Sequence, residues 1–482
     1  MSIFPIKHYN QNVSDWIGPD DVDYDKPLIT ASVQAARLNE FYQHYFGDYS
    51  PWSETFVNHA LNQAAPYDLK TEEKGLISLY GNKNKSDRDI GYGVNFRPHT
   101  QKWIRDIASN INFTQLETFK YHASQRAITI ENTSVRALPT DEVHYYHFKF
   151  PGQGYPFDNL QMSALWVGSP VYVISESLDR AWVLVLTNDL VGWVHRSSIA
   201  EADEQFIQQW QNAAKKQMAA IIKTKATLVD ENNQYVMTTY VGGVFPVFSG
   251  TIGMKLMMPV SDINHHAVIK TVITDSDNFA LMPLTPTPHH FADLMKTLIG
   301  RPYGWGGMNF YNDCSQELKN LFTPFAIWLP RHSSDQLTRG KTVDLSHLPM
   351  GKRLSYLKKH GRKFMTLIYN GGHIILYIGN YRLQFSDTKT AMTYQAMWGL
   401  SPRPSVRRAV IGQSALFPLL MKYPEDAALI SQADKKIFRI SYLDDMPKQK
   451  GKINFKINKF ILRALMFPNL AELLMMSGYV TW

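Results

Sequence analysis

The sequence has a single cysteine, Cys314, among its 482 residues. No disulfide can close within the chain, so packing alone must hold the fold. It also lacks His-Glu-x-x-His, and the paired histidines His265-His266 and His289-His290 have neither ligand spacing nor carboxylate support. No metal and no cofactor is therefore expected. No Gly-Lys-Ser/Thr follows the glycines at 304, 306 and 307, which excludes a phosphate loop. The opening stretch, Met1 to His8, has no apolar core of the length an export signal needs. No run approaches a membrane span: Phe460 to Tyr479 comes nearest and is interrupted by Arg463, Pro468, Asn469 and Glu472. The expected location is the cell envelope, periplasmic or secreted, if a signal has been removed, and the cytoplasm otherwise.

What is present is an ordinary globular composition, 44% hydrophobic and 19% charged, which excludes a disordered or fibrous chain. Aromatics reach 13%, more than one core can hide, and favour small β-barrels or peptide- and carbohydrate-binding clefts. The net charge of +8 suits an anionic polymer such as nucleic acid, anionic lipid or carboxylate-rich cell wall, or equally a solvated surface with no polymer partner. The basic residues are spread out, however, and the densest run, Lys448 to Lys459, reads as a tail. No nucleic acid is expected as partner, and the protein is expected to be a monomer. The length implies roughly three domains.

Residues 1–125 read as a mostly helical domain, with apolar residues at helical spacing over Ser32 to Tyr45. Short strands follow from Ile128 to Val194, the pattern of a small barrel over 126–200. A linking helix is expected over 201–223, running from Glu201 to about Lys223 and capped by Ser197 or Ser198. A second strand-rich block, 224–285, has its clearest strands at Thr238 to Val244 and Ala267 to Ile273, and reads as a divergent second barrel. Pro283, Pro286 and Pro288 punctuate the entry to a last domain, 286–450, which starts with helix and ends with strands. Residues 451–482 are a C-terminal extension, expected to be an amphipathic tail.

The chemistry concentrates in that last domain. Asn312 or Asp313 can cap a helix with Leu318, Leu321 and Phe322 on its apolar side. Cys314 then lies in the first turn, where the positive end of the helix dipole favours thiolate. A base must accompany it. His373 stands at the edge of the strand His373 to Gly379, just after the turn Asn370-Gly371-Gly372. A third group should orient the imidazole. Gln395 can do so if its strand, Met392 to Gly399, neighbours that of His373, while Gln384 and Asp387 are rivals that spacing alone leaves open.

Pro302-Tyr303-Gly304-Trp305-Gly306-Gly307, Asp313-Cys314-Ser315 and Gly372-His373-Ile374-Ile375-Leu376-Tyr377-Ile378-Gly379 resemble the NlpC/p60 cysteine peptidases. Ile128 to Pro139, Tyr155 to Gln161 and Gly192-Trp193-Val194 resemble the bacterial SH3-like barrels of that family's multidomain members. The resemblance implies an α+β protein: a papain-like NlpC-type catalytic domain preceded by two small SH3-like β-barrels and a mostly helical N-terminal domain. It implies hydrolysis of the bond between γ-D-glutamyl and a diamino acid in peptidoglycan stem peptides. By the same resemblance Asp313 and Ser315 hold the free amine of the substrate, and Tyr303 positions the scissile carbonyl. Asp158 and Trp182 are the expected cleft wall contributed by the first barrel. The third catalytic position, commonly His, is matched here by Gln395. Two other functions compete with this one: a wall-binding protein with a decayed peptidase domain, and a papain-like amide or acyl transferase.

Overall fold

The computed structural model describes residues 2–62, 69–117, 119–150, 154–249, 254–383, 388–403 and 407–446. The extension 451–482, the run Lys448 to Lys459, and the rivals Gln384 and Asp387 lie outside the described residues.

The C-terminal half is built on a seven-stranded sheet. Its order is Ser2–Ile3, Ala409–Pro418, Lys389–Leu400, Ile374–Arg382, Thr366–Tyr369, Arg439–Tyr442, Lys341–Asp344. Ile374–Arg382, apolar on both faces in sequence, is the central strand, as a doubly covered position requires. Helices Pro288–Leu298 and Cys314–Phe322 pack on the sheet. Phe291, Phe322, Phe325 and Phe364 meet there with centroids 4.4–5.4 Å apart around Phe291, all fully buried. The N-terminus belongs to this core. Ser2–Ile3 pairs in parallel with Ala409–Pro418, and Val13, Ile17, Tyr24 and Ile29 are buried among Leu294, Met295 and Leu298. Residues 2–29 are thus a strap on the last domain rather than part of the helical one.

The helical region proper is Ala31–Tyr45, capped by Thr30 Oγ1, then Glu54–Asn62, Leu69–Tyr80, Gln101–Asn110 and Phe113–Glu117. Its apolar faces share one core with the next sheet, through Leu76, Ile104 and Leu116 against Tyr172, Leu184 and Trp193. That sheet has seven strands, ordered Gln161–Leu165, Thr133–Arg136, Val191–His195, Trp182–Leu186, Pro170–Glu176, Arg126–Thr129, Ile199–Glu201.

The linking helix differs from expectation. It is shorter, Glu204–Lys216, and Asp203 caps it by accepting from the Phe206 N–H. Met218–Ile221 has turned to strand and pairs with Val244–Ser249 and Phe279–Met282 in a five-stranded sheet. Apolar residues such as Met218 to Ile221 fit either state, and the strand edges beside them decide. Thr238 to Val244 is not one strand either: the chain turns at Gly242 (φ +89°), where a Cβ would stand 2.9 Å from the Asn320 backbone. That turn lies against the helix that carries Cys314.

Ile17 is fully buried in the core beneath the C-terminal sheet although it lies far from it in sequence. Ile17→Ala should cost about 2–4 kcal/mol, read as a lower urea midpoint for the C-terminal domain. A change within error would show that the strap only rests on the surface.

Candidate active site

Asp313 caps the helix Cys314–Phe322, its Oδ1 accepting from the Gln316 N–H at 3.0 Å. Cys314 is the first helical residue and is buried. The glycine-rich segment before it makes two left-handed turns, Gly306 (φ +58°) and Gly307 (φ +79°). Cβ atoms there would stand 2.3 Å from the Gln161 carbonyl oxygen and 2.8 Å from Ala164, so these glycines let the second sheet's edge strand close on the nucleophile loop.

The central strand brings the second group. Cys314 and Ile374 share one buried core, and the nearby backbone N–H groups of Ile374 and Ser315 favour the Cys314 thiolate. Ile374 follows His373, so the thiol lies against the start of the strand that presents the imidazole. On the neighbouring antiparallel strand, Leu376 faces Tyr394 in register, and Gln395 comes beside the ring. His373 Nε2 and Gln395 Oε1 are 2.7 Å apart. Nε2 therefore carries the proton, and Nδ1 keeps a lone pair. Of the three sequence candidates for the orienting group, Gln395 makes this bond.

Burial pushes the Cys314 thiol up to about 12, and the Asp313 carboxylate adds to the rise; the backbone donors and Arg331 oppose it. Burial pushes His373 down to about 4, against the bond to Gln395, which favours the charged form. At neutral pH the pair is thiol and imidazole. The helix dipole, expected to favour thiolate, is outweighed by desolvation. Burial thus favours the neutral forms of both groups over a preformed ion pair.

Asp313 and Ser315, expected to grip a substrate amine, are occupied within the protein. Asp313 accepts from Gly306 N–H, Gln316 N–H and the Ser315 hydroxyl, and pairs with Arg331 at 2.5 and 3.1 Å. Ser315 Oγ accepts from Arg331 at 2.7 Å. Five donors on one carboxylate leave it little capacity for a ligand. Arg331 also donates to Ser163 of the barrel sheet at 2.9 Å. Reading the sequence did not find Arg331. Its one signal was a cation closing the apolar run Phe325 to Pro330.

Tyr303 is half-buried, its ring 6.3 Å from that of Trp398, three residues beyond Gln395. Asp158 and Trp182 are not on a cleft wall. Asp158 is buried, paired with Arg136 at 2.5 Å and accepting from the backbones of His144 and Leu160. Trp182 packs under the helical region and stacks on His195 at 3.9 Å, at the opposite end of its hairpin from Asp189, which pairs with Lys319 of the nucleophile helix. A fixed carboxylate and a core indole explain both positions better than exposure does. The neighbour of Asp158, Phe157, is what reaches the site, edge-on to Trp305 and Trp398 at 5.1 and 5.0 Å.

Residues 144–195 match the model of the SH3 domain (SH3b1 type). Among solved structures, an NlpC/P60 endopeptidase from Photobacterium damselae subsp. piscicida is 31% identical, with 93% of this chain and 99% of that one covered and a TM-score of 0.79. An NlpC/P60 family protein from Bacillus cereus is 16% identical, with 64% and 98% covered and a TM-score of 0.41, too distant to bear on function. No curated protein matches.

Two outcomes follow from the site's electrostatics. Arg331→Leu should cost about 3–5 kcal/mol by leaving Asp313 buried without its cation; a loss under about 1 kcal/mol in urea unfolding would mean solvent reaches the carboxylate. Alkylation of Cys314 by iodoacetamide should rise about tenfold per pH unit from 7 to 9, as for a thiol whose pKa lies above that range. A rate already level below pH 7 would indicate a preformed thiolate.

Proposed function

Since the chain belongs to the NlpC/P60 family, we propose that it cleaves the bond between γ-D-glutamyl and a diamino acid in peptidoglycan stem peptides. It is a cysteine peptidase that hydrolyses peptidoglycan, of mixed α+β fold with an SH3 domain, and its family points to a role at the cell envelope. No helix among the described residues is long and apolar enough to cross a membrane. The finer domain reading remains the proposed one: a helical region, two SH3-like barrels and a papain-like domain, acting as a monomer.

The observation that carries the mechanism is the arrangement of Cys314, at a helix start and in one core with Ile374, beside His373, which Gln395 holds. Cys314 Sγ attacks the γ-carbonyl carbon as its proton passes to His373 Nδ1. The backbone N–H of Cys314 receives the developing oxyanion, with Tyr303 positioning the carbonyl. The amine leaves with the proton from His373, and a thioester remains. Water, deprotonated by His373, then attacks the thioester and frees the thiol. A base that stays neutral down to about pH 4 can serve both steps across the neutral range.

In this reading Asp313 and Ser315 act mainly through Arg331, holding the nucleophile turn. Phe157, against Trp305 and Trp398, is the barrel's contribution to the cleft and favours short peptides. Cys314→Ala should abolish release of diamino-acid products from defined muropeptides, read by mass, while the circular dichroism spectrum is unchanged. Undiminished release would rule out the mechanism.

A further inference from the structure

Gln395 holds His373 only if its amide is turned the right way. An amide presents either an acceptor or a donor, and nothing in glutamine itself selects one face. With Oε1 toward the ring, Nε2 of His373 must carry the proton and Nδ1 is basic. Turned over, the amide would offer N–H to Nε2, place the proton on Nδ1 and leave the thiol facing an N–H. That is a base in the wrong tautomer.

We propose that Thr393 is the positioning residue that sets this orientation, building on the reading of His373 as base. Thr393 and Gln395 are two apart on the strand Lys389–Leu400 and share one face. Thr393 lies opposite Phe417 in the adjoining strand. Its hydroxyl donates to the Phe417 carbonyl oxygen at 2.6 Å, a partner that can only accept. The hydroxyl proton is thereby committed, and the Thr393 oxygen is left as an acceptor. It faces Gln395 Nε2 at 3.0 Å, and only an amino group can donate there. Gln395 Oε1 is then forced toward His373 Nε2 at 2.7 Å. Thr393 and Gln395 are both fully buried, so no water competes for these bonds. The polarity runs in one direction, from a backbone carbonyl of the sheet to the basic nitrogen of the site.

The test uses the full chain and the tripeptide L-Ala-γ-D-Glu-meso-diaminopimelate, with Thr393→Val, Thr393→Ala and Thr393→Ser. Alanine and serine both lose the methyl, so their difference isolates the hydroxyl even if the valine variant fails to fold. Thr393→Ala and Thr393→Val should lower kcat by about 10- to 100-fold with KM within about twofold, and Thr393→Ser should restore most of it. Wild-type kcat in the alanine variant, or equal losses in alanine and serine, would overturn the proposal.

A second readout needs no turnover. In histidine labelled with 15N, the His373 signals, assigned by their loss in His373→Gln, should report Nε2–H in the wild type and serine forms and a mixture in alanine and valine. An inactive wild type would refute the peptidase reading alone; the same tautomer in all four proteins would refute the role of Thr393 alone.

Discussion

The ion pair between Asp313 and Arg331 is the constraint from which the site is built. Asp313 caps the nucleophile helix, receives the Gly306 N–H of the glycine turn and binds the guanidinium in two places, while Arg331 reaches Ser163 of the barrel sheet. One buried carboxylate thus fixes the loop before Cys314, the start of its helix and the approach of the neighbouring sheet. Buried pairs are costly to assemble, and their value here is geometric. The same interface repeats the device with Lys319 and Asp189, and with Gln161 donating to the Gly306 carbonyl. The sheet of the SH3 domain is therefore part of the scaffold of the candidate site, and its residues hold the turn before Cys314 in place.

The second consequence is electrostatic. Packing the nucleophile turn so tightly removes water from the thiol, and burial outweighs the helix dipole. The dipole acts at the helix end and contributes about 1 kcal/mol or less when exposed, whereas full desolvation of a charge costs several times that. Burial also keeps His373 neutral. Thiol and neutral imidazole are the forms from which the proposed attack starts.

The sequence made the main elements legible because these depend on local signals. A glycine-rich turn, a cap residue and a lone Cys announce a helix tip, and an apolar run after Asn370-Gly371-Gly372 announces a central strand with His373 at its end. Whether that strand pairs with the one carrying Gln395 stayed open in the sequence, with Gln384 and Asp387 as rivals, and the sheet register decides it. What stayed hidden is long-range. Met218–Ile221 becomes strand because strand edges await it. Asp158 and Trp182 looked like surface residues of a barrel, but Arg136 and the helical region claim them. Arg331 and Thr393 carry no motif; their meaning comes from the carboxylate and the amide that folding places beside them.

The claim that ties these parts together is a covalent one: the thiol attacks the γ-glutamyl carbonyl and holds the acyl group. Acid quenching during turnover of L-Ala-γ-D-Glu-meso-diaminopimelate, followed by intact-protein and peptide mass spectrometry, tests it directly. The account predicts a transient adduct of one L-Ala-γ-D-Glu acyl group on the Cys314 peptide, removed by hydroxylamine as a thioester is. Steady product release with no adduct on Cys314 at any time, or with the adduct on another residue, would contradict it.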